Sequence, residues 1–201
     1  MQTQTLLSRS APVLQILQAV SEKTPVVAVM TAQDDVGKLN FSTEIIFAFQ
    51  NIGKNALLIN AIDTHINMQA VIDADILIID CPSGITPVNE TVANHANVVV
   101  VTLSADRGEQ ALNPLTVNGE LLHLLQHLHE KSHYQNGFEF VVSHASDEPL
   151  GVKMFESVVI AAHFLPQSSM NLLCLLCENC DSQNLRDVFH QAAVRIEHRL
   201  W

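Results

Sequence analysis

An α/β domain with a doubly wound, mostly parallel sheet flanked by helices is the fold this sequence predicts, and three observations carry the expectation. Six short runs read as strands, and most are almost wholly apolar rather than alternating, the pattern of strands covered on both faces. Segments with apolar residues at helical spacing lie between most of them. The chain has 201 residues, 48% apolar and 15% charged, which suits a single globular domain, residues 1–201, with a core of its own. No linker, internal repeat or low-complexity stretch divides it.

Taken in order, "SAPVLQILQAVSE" predicts a short helix with Ser10 as cap and Pro12 in the first turn. "PVVAVM" (Pro25 to Met30) is the first strand. From Lys38 to Ile52, apolar Leu39, Phe41, Ile45, Ile46, Phe49 and Ile52 keep a helical period, and Gly53 supplies the stop. "ALLIN" (Ala56 to Asn60), "DILIID" (Asp75 to Asp80) and "NVVVVTL" (Asn97 to Leu103) are the next three strands. A helix is expected from about Glu109 to Lys131, then a strand at "FEFVVS" (Phe138 to Ser143) and a helix at "PLGVKMFESVVIAAHFL". "MNLLCLL" (Met170 to Leu176) is the sixth strand and "NLRDVFHQAAVRIEHRL" the closing helix.

The formal charge of −11, from 21 acids against 10 Lys plus Arg, argues against a nucleic-acid binder, whose affinity rests on neutralising phosphates. It also opposes broad attraction to anionic lipid. No apolar run reaches the roughly 18 residues of a membrane span. "MQTQTLLSRS" lacks the basic and apolar regions of a secretory signal, so a cytoplasmic location is expected.

The chemistry concentrates after the first strand, in "TAQDDVGKLNF". Strand, tight loop ending Val36-Gly37-Lys38, then helix is the layout of a phosphate-binding loop. Such a loop needs glycines that let N–H groups face the phosphates, a Lys for charge, a Ser or Thr for Mg²⁺ and an Asp ending a later strand. Gly37 and Lys38 are in place, and Asp80, followed by Pro82 and Gly84, has the spacing of a second phosphate-sensing switch. Asp34 and Asp35, however, stand where glycines belong, and Leu39 where the hydroxyl belongs. A carboxylate about 4 Å from a phosphate charge costs on the order of 4 kcal/mol at an effective dielectric of 20. The expectation is a vestigial nucleotide site, Val36, Gly37, Lys38 and Asp80, blocked by Asp34, Asp35 and Leu39, with Lys38 paired to one of the acids. No catalytic residue, cofactor or metal is assigned.

The segment "PVVAVMTAQDDVGKLNFSTEIIFAFQNIGKNALLINAID" resembles the opening of the MinD/ParA group of P-loop ATPases, of the SIMIBI class, and is closest to its flagellar-number regulators, FlhG (FleN). "DADILIIDCPSGITPVNETVANHANVVVVTLSADRGEQAL" resembles the group's aspartate–Pro–Gly switch and following strand, and "FEFVVSHASDEPLGVKMFESVVIAAHFL" a segment of FlhG. The resemblance spans about residues 25 to 195. It implies that the group's signature lysine falls at Gln33, its magnesium-binding Thr at Leu39, and its aspartates after the second strand at Asn60 and Ile62. Fourteen residues, Ala61 to Ala74, separate the second and third strands, where the group has far more. They suffice for about one crossover helix.

Two functions follow. The first is a non-catalytic pseudo-ATPase that binds another protein as adaptor or regulator in flagellar or polar organelle placement. The alternative is an active or conditionally active ATPase with a divergent loop. Other features have plainer readings. Cys174, Cys177 and Cys180 have a spacing seen in zinc and iron–sulfur sites, yet Cys174 falls within a strand, and reduced thiols are expected. His123, His127, His129 and His133 form i,i+4 pairs that also suit a polar helix flank. The last helix carries an apolar stripe, Leu185, Val188, Phe189, Ala192, Ile196 and Leu200, beside Arg186, Arg195, Arg199 and Trp201. MinD-type proteins end in a membrane-lying helix, but Asp187 and Glu197 dilute the basic face here, and packing on the sheet is expected instead. Near the N-terminus only Gln4 and Arg9 match the FlhG motif for its partner GTPase.

Overall fold

The computed structural model describes residues 12–20, 23–31, 36–63, 65–104, 123–128, 130, 138–144, 171–177 and 182–201; the side chains at 36–40, 103–104, 138, 140–144, 171–177 and 182–185 are not described. A helix, α1 (12–19), precedes β1 (Val26–Met30), α2 (Val36–Asn51) and β2 (Ala56–Asn60). There follow α3 (Met68–Ile72), β3 (Ile76–Asp80), α4 (Pro87–Ala93) and β4 (Val98–Ser104). After a helical stretch at 123–128 come β5 (Phe138–His144), β6 (Asn171–Cys177) and the C-terminal helix (Ser182–Leu200).

The strands form one six-stranded sheet in the order β2-β3-β1-β4-β5-β6, and every neighbouring pair is parallel. All six expected strands are present, with ends within one residue of the expected ones. The reason for the apolar runs is direct. Val26, Ala28 and Met30 of β1 face one core, Val27 and Val29 the other, and all five are buried. Each strand of the sheet centre serves two cores at once, so alternation is absent from its sequence.

The first core joins that face of the sheet to Val13, Ile16 and Leu17 of α1, Val71 of α3, Val88 and Val92 of α4, and Leu124, Leu125 and Leu128. The second joins the opposite face to Phe41, Ile45 and Phe49 of α2 and to Phe189, Ala192, Ala193 and Ile196 of the C-terminal helix. Helices therefore cover both faces, as the doubly wound expectation required. The Phe41 and Phe189 rings meet at 5.9 Å between centroids, inclined by 40°, and join α2 to the C-terminal helix.

Local signals explain the helix ends. At α2, Gly53 adopts φ 83°, Lys54 N–H donates to Phe49 O and Gly53 N–H to Gln50 O, the hydrogen-bond pair of a glycine-terminated helix. Among the described residues between β2 and β3 there is one helix, the five-residue α3, capped by Asn67, whose side chain accepts from Gln69 N and Ala70 N. The expected helix at "PLGVKMFESVVIAAHFL" and the Ser10 cap lie outside the described residues. The room for one crossover helix between the second and third strands is taken by α3, while sequence reasoning missed α4, because a helix of seven residues is too short to display a period.

Candidate functional site

The carboxyl ends of β1 and β3, which pair directly with Val29 opposite Asp80, bring the chemistry-bearing segments together. Val36, Gly37, Lys38 and Leu39 form the first turn of α2, so the loop-to-helix junction falls where the motif placed it. Their side chains, and Gln33, Asp34 and Asp35 entirely, lie outside the described residues, as does the expected ion pair of Lys38.

Asp80 closes β3 and is 8% exposed. Its backbone carbonyl accepts from Ala61 N at 2.9 Å, and Cys81 N donates to Val29 O at 3.0 Å, so the sheet ladder continues to its last residue. Its carboxylate lies 3.5 Å from the hydroxyl of Ser42, a fully buried residue of α2 that donates to Oδ1. The motif did not single out Ser42, which stands four positions beyond Lys38, about one helical turn.

The segment after Asp80 is half-buried and built from specific bonds. Gly84 adopts φ 72°, a left-handed conformation that glycine enters without a Cβ clash. Its N–H donates to the carbonyl of Thr31, the residue after β1, at 2.9 Å. Thr86 caps α4 and accepts from Asn89 N at 3.1 Å, with Pro87 in the first turn. Asn89 is fully buried. Its Nδ2 donates to Pro82 O at 2.9 Å and to Gly84 O at 2.6 Å, and its Oδ1 accepts from the Thr86 hydroxyl at 2.9 Å. The signal for this arrangement was present in "TPVN": a Thr cap with an amide side chain three residues on resembles a capping box.

A Mg²⁺-bound triphosphate would need inward-facing N–H groups, a metal-binding hydroxyl and a carboxylate at the strand end. The carboxylate is there as Asp80. The Gly84 N–H is committed to Thr31, and the hydroxyl position is Leu39. The loop that would supply the inward-facing N–H groups, and the Leu39 side chain, lie outside the described residues.

The remaining candidates resolve differently. His127 Nε2 lies 2.5 Å from Glu90 Oε1 and ties the 123–128 helix to α4, while His123 is exposed; His129 and His133 lie outside the described residues. Among the described residues no group of three His, Cys, Asp or Glu is placed to hold a metal, and Cys81 is buried with its Sγ donating to Ile79 O at 3.7 Å. Cys180, and the side chains of Cys174 and Cys177 in β6, fall outside that description. Phe189, Ala192 and Ile196 of the C-terminal stripe are buried in the second core, with Val188 and Leu200 packed against it, and the end of the helix is pinned by charge. Lys54 pairs with Glu197 at 2.8 Å and stands 5.4 Å over the Trp201 ring, and Arg199 pairs with Glu139, a strand residue only 2% exposed. Among the described residues no helix is long and apolar enough to cross a membrane.

Comparison with solved structures matches this architecture. The MinD cell division protein of Aquifex aeolicus aligns with a TM-score of 0.59 at 12% identity, covering 87% of this chain and 98% of that one. The fold is that of the P-loop NTPases, of the MinD type. The MinC:MinD cell division protein complex of the same organism aligns with a TM-score of 0.60 at 13% identity, covering 87% of this chain and 96% of that one. A plasmid partition protein from Borrelia burgdorferi aligns with a TM-score of 0.52 at 8% identity, covering 86% and 99%. No protein-family model matches the chain, and no curated protein matches it. The MinD-type fold is thus retained at identities where the loop chemistry must be read from this chain's own residues.

Proposed function

We propose that this chain is a non-catalytic, FlhG-like member of the MinD/ParA group, a single cytoplasmic domain that binds another protein as an adaptor or regulator in flagellar or polar organelle placement. The observation that carries the reading is the loop Gln33-Asp34-Asp35-Val36-Gly37-Lys38-Leu39 on a MinD-type fold. Asp34 and Asp35 repel phosphate, Leu39 offers Mg²⁺ no ligand, and Gln33 lacks the charge of the group's signature lysine. Val36, Gly37, Lys38 and Asp80 are then the remnant of the site rather than a working one. A fold kept without its chemistry is kept for its surface. That one of the similar structures is MinD in complex with MinC is consistent with a protein partner.

Retention of Gly37, Lys38 and Asp80 favours a second reading, an ATPase with a divergent loop. Isothermal calorimetry separates the two. The adaptor reading expects no saturable heat with MgATP or MgADP below millimolar concentration. A micromolar dissociation constant establishes the second reading instead. Affinity capture from the native cell, with the partner identified by mass spectrometry, then addresses the cellular process.

A further inference from the structure

We infer that the segment Pro82–Thr86 is held in one conformation by the chain's own groups, with Asn89 as the latch, so that its shape does not depend on nucleotide. A phosphate-sensing switch works because its glycine N–H is free to find a phosphate and its loop relaxes when the phosphate leaves. Both conditions are absent here. The Gly84 N–H already has a partner, Thr31 O at 2.9 Å, on the neighbouring strand's exit. The carbonyls on either side of Ser83, those of Pro82 and Gly84, are both held by the one Asn89 amide, at 2.9 and 2.6 Å.

The latch is itself immobilised. Asn89 is 0% exposed and lies in α4 between Val88 and Val92, which are buried in the first core, and next to Glu90, which pairs with His127. Swinging Gly84 toward a ligand would break the Thr31 bond and strip two carbonyls of the donor that satisfies them, within a part-buried site where bare polar groups are costly. A ligand shifts such an equilibrium only by its differential affinity for the two states. A partner reading this segment would meet the same surface with or without nucleotide; that consequence for partners rests on the adaptor reading, whereas the latch does not.

Hydrogen–deuterium exchange on the full chain tests it. The Gly84 amide is expected to be protected without nucleotide and unchanged by 1 mM MgATP or MgADP, a concentration chosen on the order of cellular levels. Asn89→Asp keeps the shape of the side chain and removes both donors. It is expected to accelerate exchange across 82–86 by about tenfold or more while β4 amides stay as in the parent, since two hydrogen bonds are lost. An unprotected Gly84 amide in the parent, protection that rises on adding MgATP, or an Asn89→Asp variant with parental exchange would each overturn the inference. Should that variant not fold, the parent with and without nucleotide decides. Calorimetric binding of ATP without any change at 82–86 would remove the adaptor reading and leave the latch standing.

Discussion

The chain leaves β2 and β3 from level positions, Asn60 opposite Asp80, yet the two exits are built in opposite ways. After Asn60 one bond, from Ala61 N to Asp80 O at 2.9 Å, continues the ladder, and beyond it the bonds are local: the Asn60 side chain accepts from Ile62 N at 3.1 Å, and its carbonyl accepts from Asp63 N at 3.0 Å. Ile62 is 59% exposed. After Asp80 the bonds reach across the fold, to Val29, to Thr31 and from Asn89. The difference shows where tertiary structure over-determines a loop. The β2 exit carries Ile62 on the surface, where its side chain is not built into the packing. At the β3 exit the Asp-x-Pro-x-Gly frame is part of the packing, through the bonds to Thr31 and from Asn89.

Substitutions at the two exits sharpen or break that contrast. The largest effect is expected for Asn89→Ala, which leaves the Pro82 and Gly84 carbonyls without their donor; urea denaturation should read a loss of about 2–4 kcal/mol. Next comes Gly84→Ala, where a Cβ at φ 72° costs roughly 1–2 kcal/mol without removing the bond to Thr31. The same denaturation series would show it midway between parent and Asn89→Ala. At the β2 exit, Ile62→Ser should move stability by no more than about 0.5 kcal/mol, because an exposed side chain away from any cap or network is being exchanged. If Ile62→Ser destabilises as much as Asn89→Ala, the exits do not differ in kind and the contrast fails.

Much of the fold was legible because it rests on local signals. Continuous apolar runs such as Val98–Val101 can be satisfied only by burial on both faces, and Gly53 marks a helix end by its backbone freedom. The site was legible in part. Gly37, Lys38 and Asp80 were recognisable by spacing, and the backbone of the first two lies at the α2 start as that spacing required. Ser42 was not recognisable, because a serine inside an apolar-periodic helix carries no distinctive pattern. Asn89 stands in the capping pattern "TPVN", but its hold on the Pro82 and Gly84 carbonyls exists only through partners that folding brings to it.

Residue identity and short-range period were enough to set the strands and longer helices and to require a parallel sheet between two cores. Only the tertiary structure decided the strand order and the fate of the polar groups. Asp80 meets Ser42 across 38 positions, and Glu139 meets Arg199 across 60. The Gly84 N–H finds Thr31 on another strand's exit. The same holds for the stripe of the C-terminal helix, whose period suits a membrane surface or a protein core equally well. Contact with α2, through Phe41 and Phe189, and with β4 sends it into the core, because the sheet's second face had to be covered and this stripe reaches it beside α2.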